Sequence, residues 1–573
     1  MDHEPTEHAP ALASQPMGEP QAASHYPLWS TTPYRNATWV RTRPPAKRGA
    51  RPLAFRPVEI AAALGITLVV DTTLWVRGGV NGGGYGLAIL FAALPAGLFL
   101  ASRAWRGSVR LATVAALLAL VVTRCVFAPT DGTVLSGLAL SFAFALTLRA
   151  RRSFVPEVGR SALAAVAQIP SRIGAVARGV EKLLARTRLG TTSLLPIAIP
   201  AGLVAVFLGI FALANPLVAR GLEAAWSVLT GIVELPSAVR VLFWTVTLVS
   251  TISLLRPAIR LPKGSEIARA EGDATEGALA ITRNALVGLN VLFLAYNVLD
   301  VAYLWSGSPP PGMNTQQYAH AGAFWLTVAL AMLTAVIGVM FRGALCHDER
   351  ATSSRKLAFA WVAQGLVLGL GTYRRIAIHI VKSGLSDLRI VGILGTSLVV
   401  CGLILVALKL RNGKTVTWLV RRQLDAFAVT AVLYTVTPTH LISAEVNVAR
   451  IGAGEYRPLL HAFRQAHRTE SAAVFLPLLD HPDTRVRQGI AALLREERER
   501  LDTERKEQAS LFQRDLATGR TLAKLDAAAL RIDAALDGVA ATDAKRVLLE
   551  VSHAANADRP LEELLSIPAA SRY

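Results

Sequence analysis

The stretch EIAAALGITLVVDTTLW, from Glu59 to Trp75, is predominantly apolar and carries one carboxylate near each end. Its apolar residues follow one another without the alternation of a half-buried strand. A bilayer core of ~30 Å is crossed by about 20 helical residues, and in lipid only helices and closed barrels satisfy every backbone polar group. The stretch therefore predicts a membrane-spanning helix.

Similar runs recur along the whole chain. Of its 573 residues, 52% are hydrophobic and 17% are charged, whereas an ordinary soluble domain carries about 25% charged residues. We therefore predict an all-α, polytopic integral membrane helical bundle followed by a soluble helical domain. The eleven predicted spans are 58–76, 84–102, 109–128, 132–148, 193–214, 236–255, 283–304, 321–341, 356–372, 389–409 and 423–438.

Positive charge is concentrated between these runs. The net charge is +20, and residues 149–188 hold nine Lys or Arg against two acids. Loops rich in Lys and Arg stay in the cytoplasm, so the pattern indicates a membrane protein with a cytoplasmic N-terminus and not a nucleic-acid-binding protein. Eleven spans then place the C-terminus outside. A re-entrant last run, 423–438, would place it inside.

The composition divides the chain into five parts. The C-terminal part is nearly neutral, with 19 Lys or Arg against 20 Asp or Glu from residue 440 onward. The mixed basic and apolar stretch 373–388 predicts a helix lying in the membrane interface. The parts are a disordered basic cytoplasmic tail (1–57), a first four-span block (58–148), a basic amphipathic cytoplasmic segment (149–192), a second membrane block (193–438) and the soluble helical C-terminal domain (439–573).

Asp71, Arg124 and Asp300 lie inside predicted spans, near their outer ends. Charged groups are costly in a bilayer, so they are paired or functional. One interpretation is an ion pair between Asp71 and Arg124 that locks helices together. The other is an outward-facing polar cavity that also includes Asn297 and His320 and admits a solute or an ion.

Patterns for catalysis or metal binding are absent from the sequence. The three cysteines lack metal-site spacing, so no metal, cofactor or catalytic residue is predicted. The stretch NGGGYG, residues 81–86, lacks the Lys and the preceding strand of a phosphate-binding loop and predicts a flexible outer turn. Asn290 and Asn297 are seven residues apart on one helix face, which favours hydrogen bonds between helices.

Three stretches carry a family resemblance. They are LNVLFLAYNVLDVAYLW followed by GMNTQQYAHAGAFW, then HIVKSGLSDLRIVG, and then HLISAEVNVAR. Together they resemble a bacterial polytopic membrane family catalogued as domain of unknown function number 4173, which has a close relative numbered 4153. The resemblance covers about residues 280–495. The motif positions are Tyr318, Ala319, Gly322, Phe324, Gly384, Leu385, Arg389 and Asn447.

The resemblance implies a helical membrane fold in the bacterial plasma (inner) membrane. The sequence departs from the family pattern by one residue, Ala323, which separates Gly322 from Phe324. Because the family has no established activity, it implies no catalytic residue and no cofactor.

The function expected first is that of a non-enzymatic scaffold or sensor-like protein. Its partners would be the lipid bilayer and a protein bound by residues 439–573. The alternative is a transporter or channel that uses the polar cavity near Asp71, Arg124 and Asp300. An integral membrane enzyme has no motif to support it.

Overall fold

The computed structural model describes residues 56–76, 79–80, 82–102, 108–149, 154–167, 236–256, 274–307, 315–508 and 510–556. Almost all secondary structure in these residues is helical, which confirms the all-α class. The exception is a two-stranded antiparallel ribbon, in which β1 (Trp75–Val76) pairs with β2 (Gly79–Val80). The predicted span 193–214, the N-terminal tail and most of segment 149–192 lie outside these ranges.

The helices of the membrane part begin close to where the sequence predicts them. Hydroxyl side chains cap several of them. Ser108 accepts a hydrogen bond from the backbone of Leu111 at 3.1 Å, and Thr415 accepts one from Trp418 at 3.1 Å. The helices are α1 (Pro57–Leu74), α2 (Gly84–Ala101), α3 (Val109–Phe127), α4 (Asp131–Thr147), α5 (Val155–Ala167), α6 (Ala238–Leu255), α7 (Glu276–Asp300), α8 (Thr315–Met340), α9 (Thr352–Ser383), α10 (Asp387–Arg411) and α11 (Val416–Val436).

The C-terminal part consists of one long helix and five shorter helices. A 3-10 segment, Ala472–Asp480, precedes its longest helix, and a 3-10 turn, Leu511–Gln513, follows that helix. The helices are α12 (Thr439–Gly452), α13 (Leu459–Ala466), α14 (Thr484–Glu507), α15 (Leu516–Ala527), α16 (Ala529–Leu536) and α17 (Ala541–Ala555).

Five of the described helices are long and apolar enough to cross a membrane, and a sixth span results if α11 and α12, which meet at a 58° bend, are taken together. The helices α4, the C-terminal part of α6 and the second half of α8 are apolar but shorter. The five are α1, α2, α3, α10 and α7 with its π-helical extension to Trp305. The count of eleven spans stays a prediction.

The expectation of a separate interfacial helix over 373–388 is wrong. The helix α9 continues without interruption from residue 352 to Ser383, so residues 373–383 belong to it, and the rest of the stretch is the turn 384–386 and the start of α10. The physical reason is that Arg375 does not face an interface. Its side chain is fully buried and bonds to Asp300 on α7.

Three hydrophobic clusters hold the chain together. The first packs α1 to α4 and α6 around Phe91 and Phe144, with one residue from α11. The second packs α7 to α11 around Leu330 and Trp361. The third lies within α12 to α17, around Phe475. The C-terminal part therefore has its own hydrophobic core.

The bundle has two chemically different ends. The start of α1 meets the end of α2, where Arg56 Nη2 donates to the carbonyl of Ala101 at 2.5 Å. The starts of α7 and α9 also meet, because Ala274 N donates to Asp348 Oδ2 at 3.0 Å. We call this end, where Arg56, Arg149 and Arg256 lie around Glu59, the basic end. The C-terminal helices pack against the opposite end.

Candidate functional site

Loop 383–389, which consists of the last residue of α9, the turn 384–386 and the first three residues of α10, lies against the first two C-terminal helices, α12 and α13. It turns at Gly384, whose φ of +85° is a backbone conformation that favours glycine. A Cβ atom at this position would lie 2.6 Å from Asn447 Oδ1 on α12. Glycine is therefore required both by the backbone and by the close approach of α12.

The side-chain amide of Asn447 forms two hydrogen bonds with the backbone of Leu385, one as acceptor and one as donor. Its Oδ1 accepts from Leu385 N at 2.7 Å, and its Nδ2 donates to Leu385 O at 2.7 Å. Gln465 Nε2 on α13 donates to the same carbonyl at 3.3 Å, and its Oε1 accepts from Asn447 Nδ2 at 3.1 Å. All these polar groups are buried and mutually satisfied.

Two further side chains, those of Arg389 and His461, contact backbone carbonyl groups of the loop. Arg389 donates to the carbonyl of Gly384 and approaches His461 Nε2 at 3.5 Å. The same His461 nitrogen lies 3.1 Å from the carbonyl of Ser383. We call loop 383–389, together with Asn447, His461 and Gln465, the clasp. It joins the second membrane block to the C-terminal helices.

The clasp brings together half of the positions that carry the family resemblance. His461 and Gln465 were missed, although they are four residues apart and so share one face of α13. The resemblance positions within the clasp are Gly384, Leu385, Arg389 and Asn447. The positions in α8, whose side chains lie outside the described residues, are Tyr318, Ala319, Gly322 and Phe324.

The expected ion pair between Asp71 and Arg124 does not form. Asp71 accepts from Arg240 Nε at 2.9 Å, from Arg240 Nη2 at 2.7 Å and from Trp244 Nε1 at 2.8 Å. Arg124 pairs instead with Glu470 at 2.8 Å. The reason is that α6 packs along α1 and supplies a cation to Asp71, whereas Arg124 ends α3 beneath the C-terminal helices.

Asp300 forms a third, separate ion pair. Arg375 binds both of its carboxylate oxygens, at 2.8 Å and 2.6 Å, and both side chains are buried. The three charged candidate residues therefore have three different partners, which are Arg240 for Asp71, Glu470 for Arg124 and Arg375 for Asp300. The side chain of His320 lies outside the described residues.

Amide side chains join α7 to α9 along the same interface. Asn290 Nδ2 donates to Leu357 O at 3.1 Å, and Asn297 Nδ2 donates to Gln364 O at 3.3 Å. Gln364 Nε2 in turn donates to Asn290 Oδ1 at 2.9 Å. The prediction that the two asparagines bridge helices is confirmed.

The glycine-rich stretch after β2 is a packing surface. A Cβ atom on Gly83 would lie 2.0 Å from the Cα of Gln513, and one on Gly84 would lie 2.7 Å from the Cβ of Asp515. The backbone N–H of Tyr85 donates to the carbonyl of Arg514 at 3.0 Å. The sequence predicted a flexible outer turn here. In the structure, Gly83 and Gly84 instead pack against the segment that follows α14. We call Gly83, Gly84 and their contacts the glycine socket.

Asp515 is the partly buried acid of the glycine socket. It caps α15 by accepting from the backbone of Thr518 at 2.8 Å. Burial raises the pKa of Asp515 above its ordinary value. Across the described residues, no group of three His, Cys, Asp or Glu side chains is placed to hold a metal ion.

Comparison with known proteins identifies a family but no characterised relative. The family model described as Domain of unknown function (DUF4153) matches residues 85–462, from the start of α2 into α13. The match includes most of the clasp and stops before Gln465. No curated protein and no solved structure matches the chain. The family is the one numbered as the close relative in the sequence resemblance, and the chain belongs to it: it is a member of the DUF4153 family of unknown function.

Proposed function

We propose that this protein is an integral membrane scaffold or sensor-like protein of the bacterial inner membrane, whose C-terminal helical domain, residues 439–573, binds a partner protein. The observation that carries the proposal is that the domain has its own core and is fixed to both membrane blocks. A domain held in this way can present a constant surface to a partner.

The first attachment is at the glycine socket. Beside it, the ion pair between Arg124 and Glu470 has side-chain exposures of only 6% and 8%. Removal of one partner of a buried ion pair typically costs about 3–5 kcal/mol. The pair therefore favours a permanent attachment of the domain to α3.

The second attachment is the clasp, which engages α9 and α10 in the other membrane block. Because the domain contacts both membrane blocks, a movement of one block relative to the other would also move the helices of the domain. This is the physical basis of the sensor-like part of the proposal.

The proposed topology has eleven spans and an outer C-terminal domain. Ten described helices, α1 to α4 and α6 to α11, overlap predicted spans, and five of them are long and apolar enough to cross a membrane on their own. The remaining predicted span is 193–214. The basic end carries Arg56, Arg149 and Arg256, so the positive-inside rule places it in the cytoplasm. The C-terminal domain, at the other end, then faces outward as a soluble domain.

The alternative function, a transporter or channel, receives less support. Asp71 and Asp300 each bind a guanidinium through both carboxylate oxygens. The charge of each carboxylate is therefore already balanced by a guanidinium, which weakens its attraction for a transported cation. The polar residues of the spans favour helix association.

The proposal is tested by site-specific photo-crosslinking in intact cells. A photoreactive residue at Leu530, which is 86% exposed on α16, is expected to give one discrete protein adduct. The matched control is Leu64, which is 55% exposed on the membrane helix α1 and is expected to react with lipid. No protein adduct from Leu530 and from a second site at Leu549 would contradict a partner-binding domain.

A further inference from the structure

At the basic end, one buried aromatic ring is surrounded by three guanidinium groups. The Cζ atoms of Arg110, Arg421 and Arg422 lie 3.8 Å, 5.1 Å and 5.4 Å from the centroid of the Phe154 ring. Phe154 is only 4% exposed. Each cation gains from the ring, but three like charges repel one another, so the cluster needs counter-charges.

Two carboxylates supply part of this counter-charge. Arg110 pairs with Asp425 at 3.0 Å, and Arg421 pairs with Glu157 at 2.8 Å. Asp425 also accepts the backbone N–H of Val155 at 3.2 Å. Both carboxylates are therefore already engaged.

Arg422 is the third cation, and it has no direct acidic partner. In the part of the chain that the structure describes, no carboxylate oxygen lies within 4.0 Å of its nitrogens, and Asp425 attracts it only over a longer distance. Its guanidinium lies near two aromatic rings, those of Phe154 and, at 5.9 Å, Trp418. The cluster thus holds three cations against two anions.

The position of Arg422 along α11 indicates the source of the missing anion. Thr415 caps the start of this helix, so Trp418 and Arg422 lie in its first two turns. Trp is enriched at the level of the lipid headgroups. Arginine binds phosphate oxygens with two parallel hydrogen bonds, and basic pockets between helices bind anionic headgroups.

We propose that Arg422, supported by Arg110 and Arg421, binds the phosphate group of an anionic phospholipid in the leaflet at the basic end. The aromatic rings of Phe154 and Trp418 hold the guanidinium at headgroup depth. The site depends on the membrane placement of α11 but not on a partner of the C-terminal domain. Its failure and the failure of the scaffold proposal are therefore distinguishable.

The test measures the lipid retained by the full-length protein after extraction from mixed vesicles of phosphatidylglycerol and phosphatidylcholine, by native mass spectrometry. We expect the wild-type protein to retain phosphatidylglycerol preferentially. Arg422→Gln should lower this preference about fivefold, the effect expected from one basic residue near an anionic surface. The control Arg411→Gln, an exposed arginine at the end of α10, should leave it unchanged.

Three results would overturn the site. One is a wild-type protein without preference for phosphatidylglycerol, a readout that needs no variant to fold. Another is equal loss of preference in Arg422→Gln and Arg411→Gln, which would mean a diffuse charge effect. The third is inorganic phosphate binding to protein in pure phosphatidylcholine with the same dependence on Arg422, which would identify a soluble phosphate as the ligand.

Discussion

At the residue scale, one side chain, Asn447, supplies both the donor and the acceptor that the backbone of Leu385 needs in a buried loop. The family resemblance selected Asn447 and Gly384 from the sequence, but it did not predict that they touch. Their contact joins positions about 60 residues apart along the chain, and a local sequence pattern does not predict a contact over such a separation. The polar residues of the spans were recognised as paired or functional, whereas their partners depended on helix packing.

Asn447→Ala is expected to destabilise the protein by about 1–3 kcal/mol, because it leaves a buried N–H group of Leu385 without a partner. The measurement is chemical or thermal unfolding of the full chain in detergent. The control is Asn412→Ala, an exposed asparagine that follows α10. Equal unfolding of the wild type and Asn447→Ala would show that the clasp is not formed.

Glu497 on α14 gives the C-terminal domain a pH dependence. Burial raises its pKa, but hydrogen bonds from Arg500 and His467 outweigh burial, so the pKa lies below its ordinary value of 4.5. The ionised carboxylate of Glu497 therefore stabilises the folded domain. This contribution to the free energy of unfolding is complete above pH 4.5 and is lost as the pH falls through the lowered pKa. Glu497→Gln should therefore reduce the loss of thermal stability on acidification, whereas Glu499→Gln, an exposed acid, should not. Parallel acid profiles of wild type and Glu497→Gln would refute the assignment.

At the element scale, the apolar runs predicted the five described helices that are long and apolar enough to cross a membrane, because the bilayer thickness sets the length of a span. The expected break after residue 372 was wrong, because basic residues were assigned to an interface. Arg375 instead points from α9 towards Asp300 on α7. The pattern of apolar residues in α9 does not predict this contact, because the partner lies on another helix. The glycine stretch was assigned to a loose turn, since its packing partner lies more than 400 residues away.

Arg375→Met is expected to destabilise the second membrane block by about 3–5 kcal/mol, because it removes the guanidinium that binds both carboxylate oxygens of the buried Asp300. The double variant Asp300→Leu with Arg375→Met should recover most of this loss. Thermal stability of the purified proteins measures both. If the single and double variants are equally unstable, the two side chains do not act as a pair.

At the scale of the whole molecule, the C-terminal domain is fastened to both membrane blocks, at the glycine socket and at the clasp. The sequence indicated the domain by its change of composition but left its contacts open, because its polar surface resembles that of a free domain. The family match covers residues 85–462 and ends within α13, so the clasp lies largely inside the matched region. The glycine socket lies at the start of this region, where Gly83 and Gly84 contact residues 513–515, which lie beyond its end.

Gly84→Val is expected to loosen the domain, because a Cβ atom there already meets Cys125 O at 2.6 Å. Hydrogen exchange of residues 510–518 in the full chain should become at least about tenfold faster, which corresponds to a docking loss of about 1.4 kcal/mol or more. Gly277→Ala, at a position with no atom within 4 Å, is the control. Unchanged protection in Gly84→Val would contradict the socket.

The central claim is that the C-terminal domain lies at the outer face, opposite the basic end. The most direct measurement replaces the three native cysteines, places one cysteine at Gln508, and labels intact spheroplasts with a membrane-impermeant maleimide. A matched cysteine at Asn412, at the basic end, reports the other side. We predict labelling at Gln508 before lysis and at Asn412 only after lysis. Labelling at Gln508 only after lysis would place the domain in the cytoplasm and contradict the eleven-span topology.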